Sequence, residues 1–233
     1  MSDPVTITFS GPGKGALSTA RMTSMLEALR RAGGAPVLLA GEGNAFSAGL
    51  DLKEVVSLDA RGLEAYLGLL EELVTTLYEY PGPTAAWING HAIAGGCVMA
   101  LACDVRVMTA TETARIGLTE VALGLRFPPR TFEMCRRRLS RASFERVVLE
   151  AGLYDPRAAL SLGLVDALGD ESHARARLAV LAEHPRAAYA ATKADVRGRL
   201  EVSPEAQRRF AVEIVPAWAA PELKARLQAK LAK

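Results

Sequence analysis

Cysteine and histidine are both scarce in this chain of 233 residues, which contains three of each. Three cysteines cannot form the paired framework of a disulfide-stabilised domain, and neither residue type is spaced as a set of metal ligands. We therefore expect a protein of the cytoplasm, which is a reducing compartment, and we expect no structural metal.

Long apolar runs are missing as well. No segment reaches the roughly 18 to 20 apolar residues that span a bilayer, and the N-terminal residues do not combine a basic segment with a long apolar one, as an export signal does. The sequence thus predicts a soluble protein that is neither exported nor bound to a membrane.

A strong excess of either charge is absent, since 28 basic residues nearly balance 26 acidic ones. The chain has no domain-wide field that would attract nucleic acid or an anionic membrane, and we expect neither as a partner. The one basic run, Arg136, Arg137 and Arg138, is typical of a solvated helix face, although a phosphate-binding role stays open.

Apolar residues are abundant, at 50% of the chain with only 6% aromatic. The length suits one sizeable core, and the weight of alanine and leucine favours packed helices, so we expect a helix-rich α/β protein. Helical patterns cover 18–33, 60–80, 95–102 and almost everything after residue 124, and the apolar residues of 60–80 form one stripe. Pro216 and Pro221 are expected to break the last of these helices. The predicted buried strands are Val5–Phe9, 36–40, Thr84–Ile88 and Val105–Met108.

Two glycine-rich stretches stand out, GEGNAFSAGLDLK at 41–53 and NGHAIAGGCVMALACD at 89–104. Their glycines at 49, 95 and 96 allow the backbone to come close to a ligand with its N–H groups unpaired. Two such groups can hold an oxyanion, which is useful where charge develops on a carbonyl oxygen. The residues alone leave open a second interpretation, two tight turns that bind nothing.

A serine nucleophile is a competing interpretation of the first stretch. AFSAG at 45–49 follows a predicted strand and nearly matches the GxSxG elbow of hydrolases, for which Asp104 or Asp166 and His173 are candidate partners. Ala45 replaces the glycine that relieves crowding in that elbow, so we disfavour this interpretation.

Three segments in this order carry a family resemblance: GEGNAFSAGLDLKEV at 41–55, NGHAIAGGCVMALACDVRV at 89–107 and IGLTEVALGL at 116–125. They resemble the crotonase, or enoyl-CoA hydratase/isomerase, superfamily. The resemblance implies a spiral α/β core of ββα turns at 1–190, followed by a helical trimerisation region at 191–233. It also implies homotrimers, or hexamers made of two trimers, that act on an acyl-CoA thioester.

Carried over residue by residue, the resemblance implies where that thioester binds. The backbone amides of Leu50 and Gly95 would form an oxyanion hole. Coenzyme A belongs to the substrate, and no separate cofactor is expected. The CoA path would be lined by Ala48, Leu50, Asp51, Leu52, Lys53 and Gly95.

The carboxylates look most like those of the Δ3,Δ2-enoyl-CoA isomerases of the family, which work with a single glutamate. Hydratases of the family carry two, but here Val98 occupies the first position and Glu120 the second. One carboxylate suffices for isomerisation, because it can take a proton from C2 and return it to C4. We therefore predict an enoyl-CoA isomerase with Glu120 as its base, in preference to a surface glutamate at a helix start.

Other activities on the same fold stay open, namely weak hydration, thioester hydrolysis or decarboxylation, and so does a catalytically silent acyl-CoA-binding subunit. RFPPR at 126–130 replaces a small, glycine-rich stretch found in many hydratases. This departure implies an unusual acyl pocket, and the sequence does not set the acyl chain length.

Overall fold

The structure, a computed structural model, describes residues 4–232. It contains two parallel sheets. The larger sheet has the strand order β1-β2-β4-β6-β8 and the smaller one β3-β5-β7, and the strand pairs within both are parallel. The strands are β1 (Val5–Phe9), β2 (Val37–Gly41), β3 (Ala45–Ser47), β4 (Thr84–Ile88), β5 (His91–Ile93), β6 (Val105–Met108), β7 (Ile116–Gly117) and β8 (Ala167–Leu168).

Helices follow the strand pairs and make up most of the second half. The helices of the first half are α1 (Pro12–Gly15), α2 (Thr19–Ala32), α3 (Leu52–Ser57), α4 (Ala60–Tyr78), α5 (Gly95–Ala102) and α6 (Glu120–Leu123). Those of the second half are α7 (Pro129–Arg138), α8 (Arg141–Glu150), α9 (Pro156–Ser161), α10 (Glu171–Ala182), α11 (Arg186–Arg197), α12 (Pro204–Arg209), α13 (Val215–Ala219) and α14 (Pro221–Leu231). None of the helices described within residues 4–232 is both long enough and apolar enough to cross a bilayer.

From β2 onward, consecutive strands alternate between the two sheets, and a helix follows each pair. β2 and β3 lead to α3, β4 and β5 to α5, and β6 and β7 to α6. The chain therefore makes three ββα turns, which confirms the predicted α/β class and its spiral core.

Capping residues set the limits of α2 and the start of α4. The Ser18 hydroxyl accepts a hydrogen bond from the Arg21 N–H at 3.3 Å, and Gly33, with φ 53°, ends α2 in the left-handed conformation. The Asp59 carboxylate accepts from the Gly62 N–H at 2.7 Å at the start of α4. The predicted apolar stripe of α4 is buried throughout: Leu63, Leu67, Leu70, Leu73, Val74 and Leu77.

Two strands of the smaller sheet, β3 and β5, lie within the two glycine-rich stretches, and β7 lies in the third family-like segment; the sequence predicted no strand at any of these places. The strands of this sheet are two or three residues long, which is too short to show the alternation that identifies a strand, and glycine is a strong turn signal. The prediction was wrong here because pairing with distant segments decides the structure. Ala45, for example, pairs with His91.

The C-terminal helices do not break at Pro216 as the sequence predicted. A π-helical turn, Phe210–Ile214, precedes α13, and the Val215 N–H donates to the Phe210 carbonyl. This wider turn accommodates a residue that lacks an N–H and whose ring would otherwise clash with the carbonyl four residues earlier. The predicted break at Pro221 is confirmed, because α14 begins there.

These C-terminal helices pack on the core of the same chain. α13 contacts α4, and α14 contacts α3. The Trp218 indole Nε1 donates to the Arg126 carbonyl at 3.0 Å, and Lys224 Nζ donates to the Leu58 carbonyl. The predicted boundary at residue 191 falls within α11; the division into core and trimerisation region, and the trimer itself, stay predictions.

Asp104 connects α11 to the larger sheet. One carboxylate oxygen accepts from the Thr84 backbone N–H and from Lys193 Nζ, both at 2.7 Å, and the other accepts from Arg197 Nη2 at 2.6 Å. The Lys193 and Arg197 side chains are each only 7% exposed. Burial lowers the pKa of Lys193 to about 8, against the opposing effect of Asp104.

Replacing Asp104 by asparagine is expected to lower the free energy of unfolding by about 3 kcal/mol, because two buried cations lose their anion. Urea denaturation at pH 7 measures the change. Asp59→Asn is the matched control, since Asp59 is an exposed cap that asparagine can replace for less than about 0.5 kcal/mol. If Asp104→Asn and Asp59→Asn lowered the free energy of unfolding by equal amounts, Asp104 would not be more important to stability than an ordinary helix cap.

Candidate active site

A cavity of about 230 Å³ brings together segments that are far apart in the sequence. Two predicted site residues, Asp51 and Lys53, are not part of its lining. The Asp51 carboxylate instead caps α3, accepting from the N–H groups of Lys53 at 3.0 Å and Glu54 at 3.3 Å. The predicted residues that do line the cavity are Ala48, Leu50, Leu52, Gly95 and Glu120.

The backbone at Leu50 closely approaches that at Gly95. Gly49, with φ 88°, has no room for a Cβ atom, which would lie 2.6 Å from a carbonyl oxygen of β5 and 3.1 Å from the Gly95 nitrogen. Leu17 holds this turn, because its N–H donates to the Gly49 carbonyl at 2.7 Å and its carbonyl accepts from the Asp51 N–H at 3.3 Å.

Within residues 4–232, the N–H groups of Leu50 and Gly95 donate to no protein acceptor. Gly95 is the first residue of α5, where helix geometry leaves N–H groups without partners. Ala94 before it has φ 50° and ψ −116°, a costly conformation for a residue with a side chain. Two unpaired amides at one cavity wall are able to hold a developing oxyanion.

Ser47 does not have the environment of a nucleophile. Its side chain is completely buried, and it is not among the cavity-lining residues. The hydroxyl donates to the Gly15 carbonyl at 2.8 Å and accepts from the Gly49 N–H at 3.2 Å. Ser47 therefore stabilises the turn beside the cavity, and the geometry of a serine elbow is not present.

Glu120 begins α6 and lies against the cavity with only 7% of its surface exposed. Within the described part of the chain, its Oε2 atom is buried and has no hydrogen-bond partner. Burial raises the pKa of Glu120 to about 8, a shift that a hydrogen bond from its own backbone N–H partly offsets. The alternative of a surface glutamate is therefore wrong.

Glu71 is a second buried carboxylate, which the sequence reasoning missed. It occupies a position within the apolar stripe of α4, a signal that was available in the sequence, but it does not line the cavity. Its Oε1 atom accepts from the N–H groups of Arg130 at 2.6 Å and Thr131 at 3.2 Å. Glu71 thus fixes the start of α7, which contributes Thr131 to the cavity wall.

The C-terminal helices complete the cavity with Trp218 and Lys230, which the sequence reasoning also missed. Trp218 is 1% exposed and is held by its hydrogen bond to the Arg126 carbonyl. No local pattern marks either residue, because both reach the cavity only when the C-terminal helices fold back on the core.

Comparison with known protein families assigns the chain to one of them. A family model described as enoyl-CoA hydratase/isomerase matches residues 4–220, nearly the whole sequence. The chain belongs to the enoyl-CoA hydratase/isomerase family. The family assignment agrees with the resemblance carried by the two glycine-rich stretches and the segment around Glu120.

Relatives within the enoyl-CoA hydratase/isomerase family carry both activities in their names. A Thermus thermophilus protein named as an enoyl-CoA hydratase is 37% identical over 150 residues, which cover 63% of this chain and 58% of that protein. Rat enoyl-CoA delta isomerase 1, mitochondrial, is 36% identical over 134 residues, which cover 57% of this chain and 46% of that protein. The chain thus spans about half the length of these relatives.

A solved structure gives the fold comparison. Human mitochondrial Δ3,Δ2-enoyl-CoA isomerase is 27% identical, with a TM-score of 0.86 over 97% of this chain and 92% of that chain. The crotonase fold expected from the sequence is therefore confirmed for this member of the enoyl-CoA hydratase/isomerase family.

Val98 also lines the cavity. It lines the wall at the position where the resemblance implies a second glutamate in hydratases, and it is 1% exposed. Among the described residues of the lining, only Glu120 and Lys230 are ionisable. The cavity thus contains one carboxylate in largely apolar surroundings.

Proposed function

We propose that the protein is an enoyl-CoA isomerase, which shifts the double bond of a 3-enoyl-CoA thioester to position 2. The observation that carries the proposal is Glu120, a buried glutamate and the single carboxylate among the described residues of a largely apolar cavity, whose wall also contains the unpaired backbone amides of Leu50 and Gly95. One base and an oxyanion hole are sufficient for this reaction, whereas hydration also requires an activated water molecule.

In the proposed reaction, the Glu120 carboxylate takes a proton from C2 of the thioester. The electron pair of the broken C–H bond moves into a dienolate, whose oxygen accepts hydrogen bonds from the N–H groups of Leu50 and Gly95. Glu120 then returns the proton to C4, and the double bond lies between C2 and C3. Each amide donor is expected to lower the barrier by about 3 kcal/mol.

The burial of Glu120 favours the first step. An ionised carboxylate in apolar surroundings is poorly solvated, so the carboxyl group gains stability when it accepts a proton. The raised pKa of about 8 makes Glu120 a stronger base than an exposed glutamate.

The proposal requires no cofactor, because coenzyme A enters as part of the substrate. Ala48 and Leu52 lie in the cavity wall, while Asp51 and Lys53 lie beside it on α3 and its cap. Contacts of these residues with coenzyme A, assembly as a homotrimer or hexamer, and a cytoplasmic location are parts of the same proposal.

A weak hydratase is the second candidate, since the name of the Thermus thermophilus relative points to that activity. The valine at position 98 argues against it, because no second carboxylate is present in the described lining to help activate water.

Purified protein incubated with 3-hexenoyl-CoA is expected to yield 2-hexenoyl-CoA of unchanged mass, which liquid chromatography with mass spectrometry detects. Hydration would add the mass of one water, thioester hydrolysis would release free coenzyme A, and a malonyl-type thioester tests for decarboxylation. Failure to isomerise 3-enoyl-CoA thioesters of any length from four to twelve carbons, or hydration that outpaces isomerisation, would overturn the proposal.

A further inference from the structure

Leu125 and Phe127 form a wall between two cavities. On one side is the cavity that contains Glu120, called the inner cavity, and on the other is a second, outer cavity of about 310 Å³. Both residues line both spaces. This outer cavity is otherwise lined by apolar side chains such as Val121, Phe132 and Ile214, together with two arginines, Arg126 and Arg209.

Both wall residues are buried, and the Phe127 ring is packed against a second aromatic ring. Leu125 is 4% exposed and Phe127 8%. The Phe127 ring packs against that of Phe132 with centroids 5.9 Å apart, and Phe132 packs edge-on against Phe144 at 5.1 Å. Such aromatic contacts add to the stability that burial provides.

The backbone of the wall is fixed as well. The Leu125 N–H donates to the Glu120 carbonyl at 2.9 Å. The carbonyl of Arg126, between the two wall residues, accepts from the Trp218 indole at 3.0 Å. A wall that is packed and hydrogen-bonded in this way sets a steric limit on whatever occupies the inner cavity.

The inner volume indicates how large an occupant can be. An apolar cavity of about 150 Å³ holds benzene, which corresponds to about 25 Å³ for each carbon atom. At that ratio the inner cavity, at about 230 Å³, holds about nine non-hydrogen atoms. One carbonyl oxygen and an acyl chain of about eight carbons fill this space.

We propose that Phe127 determines the acyl chain length of the substrate, by closing the inner cavity so that acyl groups longer than about eight carbons are excluded. This inference rests on the proposed function and names its substrate class as short- and medium-chain thioesters. Removal of the Phe127 ring joins the two cavities, and the apolar part of the outer cavity, beside Phe132 and Ile214, then receives the end of a longer acyl chain.

The test is the binding of saturated acyl-CoA thioesters, which does not require turnover. Calorimetry with hexanoyl-CoA and dodecanoyl-CoA is expected to show that the wild-type protein binds the longer chain no more tightly than the shorter one. In Phe127→Ala, dodecanoyl-CoA is expected to bind at least tenfold more tightly relative to hexanoyl-CoA, because several more methylene groups are buried.

Leu123→Ala is the control for simple enlargement. Leu123 lines the inner cavity but not the outer one, so its truncation enlarges the inner space without opening the wall. In Leu123→Ala, we expect the affinity for dodecanoyl-CoA relative to hexanoyl-CoA to change less than threefold. An equal shift in this variant and in Phe127→Ala would overturn the role of the wall.

Phe127→Leu retains more side-chain volume than Phe127→Ala and is expected to shift the preference toward dodecanoyl-CoA by a smaller factor. Phe127→Leu becomes the test variant if Phe127→Ala does not fold. Tighter binding of dodecanoyl-CoA by the wild-type protein, unchanged in the folded variant, would overturn the inference. Length-selective binding without isomerisation would overturn the proposed function alone, and isomerisation with no length selection would overturn this inference alone.

Discussion

A Glu120→Gln variant is expected to lose about 10²- to 10⁴-fold in kcat/KM for a 3-enoyl-CoA thioester, because the amide cannot accept and return the proton. Glutamine has nearly the same shape, so binding of the saturated thioester is expected to change little. Steady-state kinetics with 3-hexenoyl-CoA, together with calorimetry using hexanoyl-CoA, separates the two effects.

Glu71→Gln is the matched control for this loss. Glu71 is also a buried glutamate, but it does not line the cavity, and the oxygen of glutamine can still accept from the start of α7. We expect its kcat/KM to stay within about threefold of wild type. A Glu120→Gln variant that retains the wild-type rate would exclude Glu120 as the base.

The same Glu120→Gln substitution is expected to stabilise the protein at alkaline pH. The Glu120 carboxyl has a pKa of about 8 in the folded chain, against the ordinary value of 4.5. Below pH 4.5 both states hold the proton, and stability is unaffected. Between pH 4.5 and 8 the unfolded chain releases the proton while the folded chain keeps it, so the stability of the wild-type protein falls as pH rises.

Above pH 8 this loss is complete and amounts to roughly 5 kcal/mol, at about 1.4 kcal/mol for each pKa unit. Glutamine does not titrate, so the stability of Glu120→Gln relative to wild type should rise by about 4 kcal/mol between pH 5 and pH 9, since a small part of the loss has already occurred at pH 5. Denaturant unfolding of both proteins at the two pH values measures the difference.

Glu133→Gln serves as the control for the pH effect. Hydrogen bonding to Arg136 lowers the pKa of Glu133 below its ordinary value, so the carboxylate is ionised in both states from pH 5 to pH 9. The stability difference between this variant and wild type should therefore stay constant over that range. A constant difference for Glu120→Gln as well would mean that the cavity does not raise the pKa of Glu120.

The larger sheet and the longest helices could be predicted from the sequence because each has a local signal. β4 and β6 are short, mostly apolar segments, and α2 starts at a serine cap and ends at a glycine. The smaller sheet has no such signal. Its strands are shorter than the pattern that would reveal them, and they form only when distant segments of the chain pair.

The candidate site likewise combines residues that a local sequence signal marks with residues that no local signal marks. Leu50, Gly95 and Glu120 lie in motifs that the family resemblance could identify, and the structure places all three at one cavity. Trp218 lies almost a hundred positions after Glu120 and reaches the same cavity only through the folding of the C-terminal helices. Its contribution depends on tertiary packing, which no local pattern encodes.

The parallel pairing of the strands has a consequence for how the protein folds. Val5 pairs with Val37, Val37 with Thr84, and Val107 with Ala167, so each contact closes a long loop before it contributes any stability. Chains dominated by such non-local contacts fold slowly, typically in milliseconds to seconds. The amides of Leu50 and Gly95 meet only after the smaller sheet has paired, so the capacity to bind substrate should appear late in folding, together with the final cooperative step.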